Sequence, residues 1–158
     1  MNSLVVFLGN GDGTFQPAAL TTLSGTVMDL SVTDLTGDGK PDVLAVLGGS
    51  GSGIDILPGR GDGSLAAPIV LPAGSPGSAI TPDFNGDGKP DLFYTVGNGG
   101  VGASLGRGDG SFAAPTSFIT LGTYQMKAGD LNRDGRPDVA LATWGSGGQI
   151  VLFMNASH

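Results

Sequence analysis

The sequence has no cysteine and no glutamate, and its single histidine is His158, the last of its 158 residues. The lack of cysteine excludes a disulfide framework and thiolate metal ligands. All 14 acidic residues are aspartate, so no glutamate is present to act as a catalytic acid. With one terminal imidazole and no thiol, we expect no enzymatic activity.

Long apolar runs and an excess of positive charge are also absent. No stretch of 18 apolar residues occurs, so no membrane-spanning helix is expected. The formal net charge of −7 argues against a nucleic-acid ligand, because phosphate binding needs basic residues. The apolar run after Met1-Asn2-Ser3 lacks the pattern of a signal peptide. We therefore expect neither nucleic-acid binding nor membrane insertion.

Glycine and proline are abundant instead, with 30 glycines and 10 prolines. Both residues disfavour helices, so a mostly helical protein is excluded. Because 39% of the residues are hydrophobic and only 13% are charged, the chain can still bury a core. We therefore expect an all-β protein in which glycine-rich turns connect short strands.

Two glycine-rich signatures alternate along the chain, and each occurs three times. The first, a nine-residue aspartate loop, begins at Asp34, Asp83 and Asp130, and its copies are 49 and 47 residues apart. The second, a Gly-Asp-Gly turn, spans residues 9–15, 59–65 and 106–112, with offsets of 50 and 47 residues. Each repeat contains four short apolar runs bounded by turn residues, which is typical of a four-stranded antiparallel blade of a β-propeller.

The phase of the repeats predicts two, four, four and three strands in succession. We expect a partial blade over residues 1–27, blades over 28–77 and 78–124, and a partial blade over 125–158. Fourth strands are predicted over Phe15–Leu23 and Phe112–Thr120, and a first strand over Ser78–Asp83.

About three blade equivalents cannot close a ring, since propellers commonly have four to eight blades. Two ways of completing the ring are open. Flanking blades of a longer chain could supply the rest, or identical chains could associate. A homodimer with about six blades is the first expectation, because an open segment exposes apolar blade faces and strand edges.

The aspartate loop has Asp at positions 1, 5 and 9, Asn or Thr at position 3 and Gly at position 6. Short side chains at alternate positions of a tight loop point toward one centre, and the glycine permits the sharp turn. Proline at position 8 fixes the carbonyl of position 7, which adds another oxygen. About five protein oxygens plus water suit Ca²⁺ better than Mg²⁺.

A plain Asp-Gly turn is the alternative interpretation of each loop. Three copies with the same chemistry favour a cation, because carboxylates crowded into one loop would otherwise repel one another. A helical calcium-binding loop is excluded, since its position 12, which requires Glu, falls on Ala45, Tyr94 and Leu141. Thr36 at position 3 is a weaker ligand than Asn, so the first loop is expected to bind most weakly.

Aspartate loops followed by apolar strands, with Gly-Asp-Gly turns between them, resemble the FG-GAP (VCBS-type) repeats of integrin alpha-subunit propellers, certain fungal lectins and many bacterial extracellular proteins. The resemblance implies a β-propeller with one Ca²⁺ between the first and second strands of a blade, about three ions in all. It also implies an extracellular or cell-surface location. The implied ligands are Asp34, Thr36, Asp38, the Lys40 carbonyl and Asp42; Asp83, Asn85, Asp87, the Lys89 carbonyl and Asp91; and Asp130, Asn132, Asp134, the Arg136 carbonyl and Asp138.

These expectations lead to a calcium-binding module with a binding or scaffolding role. Carbohydrate recognition, as in the fungal lectins, is the first hypothesis. A protein-interaction or cell-adhesion module is the alternative, and a self-assembling propeller fragment without a ligand is a third. Trp144 could stack on a sugar, but core packing between blades is its expected role. The tripeptides Arg60-Gly61-Asp62 and Arg107-Gly108-Asp109 are interpreted as turns rather than adhesion ligands.

Overall fold

The computed structural model describes residues 2–97, 99–119, 122–144 and 147–155, except for the side chains of Ile119 and Tyr124. Thr120, the last residue of a predicted strand, and His158 lie outside the described residues. The strands are β1 (Asn2–Val6), β2 (Ala19–Leu23), β3 (Thr26–Thr33), β4 (Asp42–Gly48), β5 (Gly53–Leu57), β6 (Ile69–Leu71), β7 (Ala79–Ile80), β8 (Leu92–Val96), β9 (Gly100–Ser104), β10 (Thr116–Ile119), β11 (Thr123–Gly129), β12 (Asp138–Thr143) and β13 (Ile150–Phe153). The only helical element in the described ranges is a 3-10 turn, Gly49–Gly51. None of the described helical structure has the length and apolar character needed to cross a membrane.

The strands form four antiparallel sheets in chain order. Sheet I contains β1 and β2, sheet II contains β3–β6, sheet III contains β7–β10, and sheet IV contains β11–β13. Consecutive strands pair within each sheet, as in the blades of a propeller. The predicted all-β class and the succession of two, four, four and three strands are confirmed, and the sheets do not close a ring.

The core consists of three apolar layers, each between two successive sheets. Because side chains alternate across a strand, sheet II packs against both of its neighbours. On β4, Val43, Ala45 and Leu47 pack toward sheet I, whereas Leu44 and Val46 pack toward sheet III. We call the face of a sheet that turns toward the following sheet its forward face, and the opposite one its rear face.

A polar contact joins the first strand of sheet II to the start of the first strand of sheet III. Asp29 Oδ2 accepts hydrogen bonds from Ser78 Oγ at 2.7 Å and from Ala79 N at 3.3 Å. Asp29 and Ser78 both lie five residues before an aspartate loop, so they are equivalent positions of adjacent blades. The contact therefore links successive repeats through the same place in each.

Two of the predicted fourth strands are too long at their N-terminal ends. Phe15 and Phe112, their predicted first residues, form only isolated bridges, and the strands begin at residues 19 and 116. Pro17 and Pro115 lie between the bridge and the strand. Because proline has no N–H to donate to a ladder, regular pairing starts only beyond it.

The first strand of sheet III is also shorter than predicted. It covers Ala79–Ile80 instead of Ser78–Asp83. Pro82 interrupts the predicted run and, like the prolines above, removes a ladder donor. The strand therefore ends before the aspartate loop begins.

Candidate metal centres

The three aspartate loops connect the first and second strands of sheets II, III and IV. Their backbones turn at positions 4 and 6, where φ is 72° and 80° in the first loop and 75° and 81° in the second. Glycine occupies these positions in both loops. In the third loop, Arg133 at position 4 adopts φ of 64°, which is uncommon for a residue with a side chain. The loop conformation is therefore kept even where glycine is replaced.

The carboxylate at position 1 organises each loop from within. Asp83 Oδ1 accepts the N–H groups of Gly86 at 2.7 Å and Asp87 at 3.1 Å, and its Oδ2 accepts that of Gly88 at 2.8 Å. Asp34 and Asp130 accept corresponding bonds from positions 4 and 6 of their own loops. An ionised carboxylate has about four acceptor sites, so each of these groups keeps capacity for a cation.

Positions 3 and 5 lie side by side in the second and third loops. Asn85 Nδ2 donates to Asp87 Oδ2 at 3.2 Å, and Asp87 N donates to Asn85 Oδ1 at 3.0 Å. Asn132 and Asp134 repeat this arrangement. The residues at position 7 donate their backbone N–H to the position 5 carboxylate; they are Lys40, Lys89 and Arg136. In the second and third loops, the predicted ligands at positions 1, 3 and 5 thus belong to one turn.

The first loop differs from the other two at position 3. Thr36 Oγ1 is buried and has no hydrogen-bond partner within the described part of the chain. Lys40 Nζ pairs with Asp38 Oδ2 at 3.1 Å, and the backbone N–H and then the ammonium of Lys40 lower the pKa of Asp38. The buried, unpaired hydroxyl of Thr36 is compatible with a cation that binds oxygen ligands. Lys40, however, already pairs with the Asp38 carboxylate that would bind the same cation.

Position 9 is buried beneath the loop rather than exposed within it. Asp42 Oδ2 accepts the N–H groups of positions 2 and 3, both at 2.9 Å, and Oδ1 accepts Gly59 N at 2.8 Å. Asp91 and Asp138 are equally buried and likewise link their loops to the end of the third strand. This carboxylate therefore ties the loop to the following hairpin, a role that sequence reasoning missed. The sequence signal for this role is that the position 9 aspartate lies directly beside a strongly apolar strand, where burial is expected.

The loop residues fit a hard cation in their chemistry, since every candidate donor is an oxygen. Over the described ranges, however, no three carboxylate or imidazole groups converge into a cluster that could hold a metal ion. The reason is that position 9 faces backbone N–H groups below the loop. Ca²⁺ in such a loop would draw first on positions 1, 3 and 5 and the carbonyl of position 7, with position 9 supporting them from below.

The Gly-Asp-Gly turns are closed hairpins. Asp62 Oδ1 accepts bonds from Ser64 N at 2.9 Å and Ser64 Oγ at 2.7 Å, and the serine hydroxyl followed by its N–H lowers the pKa of Asp62. Asp109 and Ser111 form the same pair of bonds. Both Arg-Gly-Asp tripeptides therefore lie in turns that engage their carboxylates, which confirms their interpretation as turns.

A concave region, separate from the loops, lies between the ends of sheets III and IV, beside Trp144. Its volume is about 600 Å³, and its lining includes Ser75, Thr95 and Thr123. The Trp144 side chain is 68% exposed and lies against Gly122, where a Cβ atom would be 3.0 Å from the indole ring. The expected core packing of Trp144 is therefore wrong. Its aromatic surface is instead available beside residues that carry hydroxyl groups.

Comparison with known proteins agrees with this repeat architecture. A family model described as FG-GAP-like repeat matches residues 1–45 and 83–155, which include strands from all four sheets. No curated protein matches the chain. Residues 46–82, outside the match, still complete a blade and contain the Gly59–Leu65 bridge found in the other repeats. Because the matched ranges cover well over half of the sequence, the chain belongs to the FG-GAP-like repeat family.

Proposed function

We propose that this protein is a calcium-binding β-propeller module that acts by binding another molecule rather than by catalysis. The observation that carries the proposal is the repetition of one loop three times, with oxygen donors at positions 1, 3 and 5 and the same backbone turn. Unused acceptor capacity at position 1 and the orphaned hydroxyl of Thr36 support it. An extracellular or cell-surface location is part of this proposal.

Calcium would act on the folded state rather than on a substrate. Two carboxylates in one turn disfavour each other's ionised form, and a cation between them removes that repulsion while fixing the turn between two strands. A ligand that binds only the folded state adds about 2.7 kcal/mol per site at a concentration 100-fold above its Kd. Three occupied loops would therefore stabilise the module substantially.

Thermal unfolding in CaCl₂ and in EGTA tests the calcium proposal. We expect Tm to rise with calcium, by about 2–4 °C for each kcal/mol in a chain of this size, and to rise less with the same concentration of MgCl₂. Asp87→Ala should remove the contribution of the second loop, about a third of the response. Asp12→Ala, which alters the Gly-Asp-Gly turn that has no close neighbour at Gly11 or Gly13, is the matched control and should retain the full response. An identical Tm in both buffers would contradict the proposal.

We propose a carbohydrate as the ligand, bound in the groove beside Trp144. Sugars combine apolar C–H faces with hydroxyl groups, so they suit an exposed aromatic ring bordered by polar side chains. The exposed indole and the neighbouring exposed Ser75 provide this combination, while the buried Thr95 hydroxyl holds the wall of the groove by bonds to backbone N–H groups. The groove lies between adjacent blades and is separate from the aspartate loops.

A glycan array with wild-type protein and two variants tests the carbohydrate proposal. We expect repeated binding to one class of sugar and at least about a tenfold loss in Trp144→Ala, since 1.4 kcal/mol of lost stacking corresponds to a factor of ten. Leu20→Ala is the control, because Leu20 is just as exposed on an outer strand. Silence across the array, or unchanged binding by Trp144→Ala, would instead favour a protein-interaction module.

A further inference from the structure

Sheets I and IV leave complementary apolar surfaces uncovered. The repeats reveal this because equivalent positions can be compared between complete and incomplete blades. In the described part of the chain, sheet I consists of the third and fourth strands of a blade, and sheet IV consists of the first three. Four uncovered surfaces follow from this division, two on the sheets themselves and two on the sheets beside them.

The forward face of sheet IV has no sheet against it in the described part of the chain. Leu131, Ile150 and Leu152 are 53%, 77% and 52% exposed. Their equivalents at the same loop and register positions of sheet II are Leu35, Ile54 and Ile56. Those three residues are at most 2% exposed, because sheet III covers them. The forward face of sheet IV therefore has the composition of an interblade surface.

The rear face of sheet I is uncovered in the same way. Phe7 and Phe15 are exposed, and their rings contact each other edge to face at a centroid distance of 6.3 Å. Leu57, the equivalent of Phe7 in sheet II, is fully buried against sheet I. This face also has the composition of a surface that packs against another blade.

One groove, which we call the Leu30 groove, lies on the rear face of sheet II, beside the free edge of β1. Leu30 and Val32 border this cavity of about 390 Å³. Leu30 is 51% exposed, whereas its equivalents Ala79 and Met126 are 4% and 1% exposed. The groove occupies the place where sheet I lacks its first two strands.

Another groove, which we call the aromatic groove, lies on the forward face of sheet III. It has a volume of about 520 Å³, and four aromatic residues line it: Phe84, Phe93, Phe118 and Phe153. Sheet IV covers the inner part of this face, but a fourth strand that would extend the cover outward is absent from the described residues. The groove therefore accepts an apolar outer strand.

We propose that a second copy of this chain fills both grooves by forming a composite blade. Sheet IV of one copy would lie with its forward face against the Leu30 groove of its partner. Sheet I of the partner would lie outside it, with Phe7 and Phe15 against the aromatic groove of the first copy. The same contact made twice about a two-fold axis closes a ring of six blades, within the range that propellers adopt.

Several features favour a second copy over other occupants. All four surfaces are on one chain, and each pairs with another through the forward-to-rear packing that already joins its sheets. Within the described ranges, β1 pairs only with β2, and β13 only with β12. In the composite blade these two edges meet, so that unpaired backbone groups gain partners. β13 and β1 are both third strands, and the composite sheet therefore has five strands. The contact joins unlike faces, so a dimer with a two-fold axis makes it twice.

Light scattering on the purified chain tests this inference. We expect a mass twice the 15.6 kDa of one chain, in CaCl₂ and in EGTA alike, so the result is independent of the calcium proposal. Leu30→Asp, in the groove, and Leu152→Asp, on sheet IV, should each raise the dimer Kd by at least about 100-fold. Val70→Asp is the control, since it places the same charge on an exposed position of a complete blade and should remain dimeric.

Mixing the two disruptive variants distinguishes this geometry from a contact between like faces. Leu30→Asp keeps an intact sheet IV, and Leu152→Asp keeps an intact groove, so their mixture regains one unaltered contact and should form more dimer than either variant alone. Circular dichroism checks that both variants are folded. A wild-type monomer at the highest soluble concentration, or a mixture no more dimeric than its components, would overturn the inference. A monomer would point to further blades of a longer chain as the cover.

Discussion

Asp42→Ala is expected to lower the free energy of unfolding by about 3–5 kcal/mol in calcium-free buffer, close to the cost of breaking a buried charged contact. The carboxylate of Asp42 is completely buried and accepts three backbone N–H groups. Its removal leaves these donors without partners, at about 1–3 kcal/mol for each buried group. Domains of this kind are stabilised by about 5–15 kcal/mol in total, so urea denaturation in EGTA should show a large shift.

Asp38→Ala in the same loop is the matched control for Asp42→Ala. In the described part of the chain, the exposed Asp38 side chain bonds only to the N–H and ammonium of Lys40, so its loss in EGTA should leave the urea midpoint nearly unchanged. It should nevertheless weaken the calcium response of the first loop. Should Asp42→Ala fail to fold, Asp42→Asn preserves the shape and one acceptor oxygen and should lose less stability. Equal losses for Asp42→Ala and Asp38→Ala in EGTA would contradict the assigned role of position 9.

Asp55→Val is expected to raise the free energy of unfolding by about 1 kcal/mol at neutral pH, because burial disfavours the ionised carboxylate. Asp55 lies on the rear face of β5 and is 3% exposed, and no hydrogen bond to its carboxylate is found among the residues that the structure describes. Val5 and Val151 occupy the equivalent positions of sheets I and IV. Valine is therefore compatible with this place in the blade.

The gain from Asp55→Val should depend on pH with a defined sign. Burial raises the pKa of Asp55 above the usual value of 3.8, so the folded state holds its proton more tightly than the unfolded state. Below pH 3.8 both states are protonated and the ionisation penalty is absent. As the pH rises, the unfolded chain ionises first, and the folded wild type loses stability until its own pKa is passed.

Urea denaturation of wild type, Asp55→Val and Asp55→Asn on both sides of pH 3.8 measures this dependence. The amide variant keeps the shape of the side chain but cannot ionise, so its advantage over wild type should also grow toward neutral pH. If both advantages are the same at acidic and neutral pH, ionisation of Asp55 is not the cause.

The blades themselves could be predicted from the sequence, because a repeat of fixed period and short apolar runs constrain the strand order. The residues that depend on contacts between sheets could not. Leu30 and Ala79 occupy the same place in the repeat, yet one is exposed and the other buried, since burial is decided by the neighbouring sheet. Trp144 directly follows the largely buried strand β12, yet its side chain is exposed and lies against Gly122. The structural role of Asp42 required the position of Gly59, which is 17 residues away in the chain.

The separation of the core into layers has a consequence for how such a chain changes over evolutionary time. Each layer is made by two successive sheets, so stability depends on nearest neighbours, as in other repeat proteins. Duplication or deletion of one whole repeat recreates the same junctions on either side and needs no compensating substitution in distant sheets. Insertion of part of a repeat changes the strand phase and leaves a face without its counterpart. Lengths that differ by whole repeats are therefore the accessible ones, and the number of blades is easier to change than the design of any one blade.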